Sequence, residues 1–107
     1  MKKLLLSLLL VCTTSQAQYQ SGNELYSDLI GRTDAEQMFA LGYVVGVVDA
    51  YIQKEVCVPQ NVTQGQLSEV VKQFLASRPQ IRHQPADILV VLAVRQHWPC
   101  SKGSKSS

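Results

Sequence analysis

The sequence predicts a small all-α domain, a bundle of four to five helices with one disulfide, on three observations. Helix-start signals recur: Ser21 with Glu24 and Thr63 with Gln66 each place a capping hydroxyl three residues before a side chain able to bond back to the cap. Apolar residues fall at helical spacing, most clearly Leu67, Val70, Val71, Phe74 and Leu75 at i, i+3, i+4, i+7 and i+8. No stretch alternates apolar and polar residues in the manner of a half-buried strand.

The first element is not part of that domain. Met1-Lys2-Lys3 is basic, Leu4 to Val11 is an apolar run broken only by Ser7, and Thr13 to Ala17 is small and polar. Ser15 and Ala17 supply the small side chains a signal peptidase needs three and one positions before its cut, so residues 1–17 read as a cleavable signal peptide. The apolar run falls well short of the ~20 residues that span a bilayer. The rival reading is a lipoprotein signal with Cys12 lipidated, in which Val11 stands where Gly, Ala or Ser is wanted. Residues 18–100 then form the domain, and residues 101–107, Ser-Lys-Gly-Ser-Lys-Ser-Ser, read as a disordered tail.

Export changes the charge. The chain has 10 Lys+Arg and 8 Asp+Glu. Lys2 and Lys3 leave with the signal, and Lys102 and Lys105 lie in the tail, so six basic residues face eight acidic ones in the folded part. The formal net charge of +2 is therefore no sign of nucleic-acid binding. A core of about 80 residues is marginal alone and gains from a disulfide or from association. Of the three cysteines, Cys12 goes with the signal, and Cys57 and Cys100 most simply pair. The alternative is a catalytic thiol at Cys57 with His83 or His97 as base, although no nucleophile signature surrounds Cys57.

The elements follow in order. Leu25, Leu29 and Tyr26 stripe a short first helix that Gly31 ends. Thr33 or Asp34 caps the second, which runs to about Lys54 and is apolar almost all round from Met38 to Ile52, placing it at the centre of the domain. Gly42, Gly46 and Ala50 fall four apart on one face, where small residues allow close approach of a neighbour. That neighbour is either another helix of the chain or the same helix of a second copy. Asp49 interrupts the apolar run and calls for a hydrogen bond to a helix end or an arginine, or for an interface contact. Val56 to Pro59 breaks the pattern, and the amphipathic third helix stops at Arg78-Pro79. Ser77 to Gln84 is a polar connection, Pro85 suits the first position of the last helix, and Ile88 to Val94 is apolar nearly all round and hence buried.

A search for chemistry is nearly empty. Gly42 and Gly46 belong to a helix pattern and make no phosphate loop. His83 and His97 lie 14 apart with no partner at metal spacing, and Asp87 needs no role beyond complementing a helix dipole. No catalytic, metal or cofactor residues are assigned, and the chain is not expected to be an enzyme.

At this point the residues resemble a known family. Gly42-Tyr43-Val44-Val45-Gly46-Val47-Val48-Asp49, Cys57-Val58-Pro59, Val62 to Leu67, Arg78-Pro79 with Arg82-His83, and Trp98-Pro99-Cys100 look like the Rap/Tai family of immunity proteins, in order and spacing, from about Ser21 to Cys100. The resemblance implies a periplasmic, all-helical homodimer that does no chemistry, takes no cofactor, and binds no nucleic acid or membrane once its signal is removed. Its partner would be a peptidoglycan amidase secreted by a type VI system, whose papain-like active-site cleft the immunity dimer occludes. It also matches Cys57 and Cys100 to the family's disulfide. Many members carry a further cysteine pair where this chain reads Leu29-Ile30 and Phe39-Ala40, which implies a separate branch.

On that reading the effector is met by the connection from Ser77 to Gln84, with Arg78, Gln80, Arg82, His83 and Gln84 as candidate contacts and Gly42, Gly46, Asp49 and Ala50 as a helix-packing or dimer seam. The competing readings are that the loop residues only cap helices or face solvent, and that the chain is a non-catalytic envelope protein of the same fold with a structural or chaperone-like role.

Overall fold

The computed structural model describes residues 20–52 and 54–100; the signal segment 1–17 and the tail 101–107 lie outside them. Four α-helices follow one another: α1, Gly22–Leu29; α2, Asp34–Tyr51; α3, Gln64–Ala76; and α4, Ala86–His97, with a 3-10 turn at Pro79–Ile81 between α3 and α4. Each helix packs against the other three. The described residues form no strand, only isolated bridges between Ser21 and Pro85 and between Ile52 and Val56.

The starts of three helices are written locally. Ser21, Thr33 and Thr63 each accept from the backbone N–H three residues on, at 3.2, 3.1 and 3.1 Å. The side chains of Glu24, Glu36 and Gln66 accept in return from the cap N–H at 3.0, 3.3 and 2.8 Å. Each cap satisfies donors that a helix start otherwise leaves open and contributes about 1 kcal/mol. Thr33, rather than Asp34, takes the cap of α2. Pro85 sits at the cap of α4, one position before the expected one, and makes no side-chain bond there. Asp87 Oδ1 instead accepts from the Ile88 N–H at 2.9 Å in the first turn.

The core is aliphatic. Leu25, Val44, Val71, Leu75, Leu89, Val90 and Val94 are wholly buried, and Val56, just beyond α2, joins them. Burying each such side chain contributes roughly 1.5–3 kcal/mol.

Three sequence expectations are corrected here. α2 is not enclosed: only Ala40, Val44 and Val48, four apart, are buried, while Met38 and Phe39 are 63 and 60 % exposed. It also ends at Tyr51, because Ile52 turns extended (φ −60°, ψ 142°). Likewise Ile88 and Leu92 of α4 are 48 and 44 % exposed, so the run Ile88 to Val94 is not all interior. The physical reason is size: a four-helix domain this small gives each helix neighbours on one side only.

Two covalent or steric devices hold the ends. Cys57 and Cys100 are disulfide-bonded, with Cα atoms 5.2 Å apart, joining the chain after α2 to the chain after α4. Gly22 is buried where a Cβ would lie 2.8 Å from the Arg82 carbonyl oxygen, so only glycine lets α1 start against that segment. No helix among the described residues is long and apolar enough to cross a membrane.

Candidate functional site

The connection between α3 and α4 is short, braced and outward. α3 caps at Ser77, and Arg78, forced from helical geometry by Pro79, takes φ −131° and ψ 62°. The backbone of the connection is bonded to the start of α1. Gly22 N–H donates to the Gln84 carbonyl at 2.8 Å and Asn23 N–H to the Arg82 carbonyl at 2.7 Å, while Ala86 N–H donates to the Gln20 carbonyl at 2.8 Å. Donors that α1 leaves open at its first turn thus fasten the loop.

Its two arginines point into the protein. Arg82 Nη1 donates to the Leu75 carbonyl at 3.0 Å, and its guanidinium lies over the Tyr26 ring. Its Nε is buried without a partner among the described residues. Arg78 stacks on Phe74 at 4.2 Å, bonds Ser77 Oγ and the Phe74 carbonyl at 3.1 and 3.5 Å, and reaches Gln96 Oε1 at 3.1 Å. Both cations neutralise the carbonyl end of α3. Of the five candidate contacts, Gln80 and His83 are exposed, Gln84 is half-buried, and Arg78 and Arg82 are half-buried anchors that set the loop's shape. The capping reading therefore describes the arginines, and the outward face of the loop belongs to Gln80 and His83.

Gly42, Gly46, Asp49 and Ala50 are all exposed on the outer face of α2. A Cβ added at Gly42 or Gly46 would meet nothing within 4 Å. Packing against another helix of the same chain is therefore not their role. Asp49 makes no hydrogen bond or ion pair among the described residues, so the helix-end or arginine partner expected for it is not there. α2 and α4 pack together, and both turn apolar side chains outward: Met38 and Phe39 from one, Ile88 and Leu92 from the other.

Sequence reasoning missed a third surface. An open groove of about 920 Å³ runs between α3 and the end of α4, with Gln66, Glu69 and Gln73 along α3, Arg78 just past its cap, Gln96 on α4, and Val70, Phe74 and Trp98 lining it. The signal was available: Gln66, Glu69, Gln73 and Ser77 recur every three to four residues and share one helix face. Glu69 accepts from Gln73 Nε2 at 3.0 Å and pairs with Lys72 Nζ at 3.3 Å. The Gln73 bond, then Lys72, holds its carboxyl below the usual carboxylate range.

Among the described residues no three His, Cys, Asp or Glu side chains gather as a metal site. The alternative of a catalytic Cys57 falls, because its sulfur is bonded to that of Cys100. No curated protein matches the chain. Residues 21–100, from the cap of α1 to the second half-cystine, match the family model described as Rap1a immunity proteins. The chain belongs to the Rap1a immunity protein family, whose members act by binding an effector protein and not by catalysis.

Proposed function

We propose that the chain is a periplasmic immunity protein which, as a homodimer, binds and occludes the active-site cleft of a peptidoglycan amidase delivered by a type VI secretion system. The carrying observation is the family match over the whole folded domain, residues 21–100. The signal-like residues 1–17 support export to the compartment where such an amidase acts.

Three structural features agree with this reading. The loop from Ser77 to Gln84 is fastened by backbone bonds to α1 and by two inward arginines, so little ordering entropy remains to be lost when it enters a cleft. Its outward side chains, Gln80 and His83, are the ones such a cleft would meet. The bare glycine face of α2, with Met38 and Phe39 outward on the same helix, suits a second copy related by a two-fold axis.

The test is titration of residues 18–107 against a purified candidate amidase digesting peptidoglycan. Turnover should fall to zero at a fixed ratio of the two proteins, and cells making the protein without residues 1–17 should lose protection. Undiminished turnover at excess protein for every amidase of the producing strain refutes the proposal.

A further inference from the structure

We propose that the groove between α3 and α4 binds a free short peptide, about four residues long, by both of its charged ends. Glu69 and Arg78 line the groove and carry opposite charges. From Glu69 to the α3 cap Ser77 is eight residues, about 12 Å at helical rise, and Arg78 follows directly. An extended peptide covers that span in about four residues. An ammonium at Glu69 and a carboxylate at Arg78 fit this polarity.

Each end has capacity to spare. The Glu69 carboxylate accepts one bond from Gln73 and pairs with Lys72, which leaves lone pairs open. Arg78 uses three of its five N–H donors on Phe74, Ser77 and Gln96, so one on Nη2 and the one on Nε remain for a carboxylate.

Three amides along the groove are oriented by the protein, Gln73 between the two charges, Gln96 at the Arg78 end and Gln66 one turn before Glu69. Gln66 Oε1 accepts from the Thr63 N–H, so its NH2 is the free end. Gln96 Oε1 accepts from Arg78, so its NH2 is free too. Gln73 gives its NH2 to Glu69 and keeps its carbonyl free. Donors and acceptors fixed in this way match the peptide units of an extended chain, and half-buried Trp98 offers an apolar plate for a side chain. Gln80 and His83 do not line the groove, so the inference stands without the effector reading.

The experiment is calorimetric titration of residues 18–107 with tetra-alanine, with its N-acetylated form, with the same peptide acetylated and amidated, and with di-alanine. Tetra-alanine should bind saturably, one per chain. Blocking both ends, or shortening to two residues, should weaken it about tenfold. In the Glu69→Gln variant, whose exposed site leaves the melting curve unchanged, the free peptide should bind about threefold more weakly, and N-acetylation should then have no further effect. Equal binding of the blocked peptide would make the groove a seat for an internal protein segment and would overturn the proposal, as would no saturable binding of tetra-alanine.

Discussion

The guanidinium of Arg82 lies 4.3 Å from the centre of the Tyr26 ring, and that stack joins the connection between α3 and α4 to α1. The same side chain donates to the Leu75 carbonyl, so one residue ties together three elements.

Replacing it should act on stability first. Arg82→Ala removes a partly desolvated cation–π contact and a charged cap, together about 2–3 kcal/mol. Arg82→Lys keeps the charge but not the flat, forked group and should recover less than half. Gln80→Ala and His83→Ala should stay within about 0.5 kcal/mol of the parent. Urea denaturation checks all four, and an Arg82→Ala protein as stable as the parent contradicts the bracing role. Effector affinity should respond in the opposite pattern, with Gln80→Ala and His83→Ala weakening it at unchanged stability.

The bare glycines make a prediction whose sign reveals their partner. A Cβ at Gly46 meets nothing within the chain. In a monomer, Gly46→Ala would therefore stabilise α2 by about 1 kcal/mol. In a dimer closed across this face it weakens association, and Gly46→Glu abolishes it by burying an unpaired charge. Light scattering over a concentration series together with thermal melts separates the outcomes. A parent that stays monomeric at high concentration would remove the dimer reading.

The disulfide closes a span of 43 residues. By the chain-entropy estimate it contributes about 3–4 kcal/mol. The double variant Cys57→Ser/Cys100→Ser should lose that amount in chemical denaturation while keeping its helical circular-dichroism spectrum. A loss below about 1 kcal/mol would mean that the packed core alone holds the ends.

Alkaline pH should reveal Tyr43. Burial first, and then the negative charge of Asp87, raises its pKa above the ordinary value of 10.0. The unfolded chain then ionises at lower pH than the folded one. Stability is full below about pH 10 and falls as pH rises through the raised value. Tyr43→Phe should flatten the decline in melting temperature between about pH 9.5 and 11, and an unchanged slope would show that another group governs it.

The sequence carried the helices far better than their surroundings. Ser21, Thr33 and Thr63 mark helix starts by bonds to residues three positions away, so they are legible without any tertiary information. What faced outward was not legible. Met38, Phe39, Ile88 and Leu92 read as core because apolar character all round a helix predicts burial, and only the placement of neighbours shows that no helix of the chain covers them. The loop arginines were ambiguous for a similar reason. Whether Arg82 points outward or back at Leu75 depends on Tyr26, which lies 56 positions earlier in the chain. The family's pattern located the domain and its cysteines, while the division of the loop into inward arginines and outward Gln80 and His83 is set by tertiary packing.

The bond between Cys57 and Cys100 turns the stretch between them into a covalent ring that contains α3, the outward loop and α4. A protease that cuts within the loop severs the ring once and leaves both fragments on one molecule. The break then lies between helices that already pack together, and the cut ends stay where the folded chain held them. A cut in this loop therefore nicks the domain without dividing it.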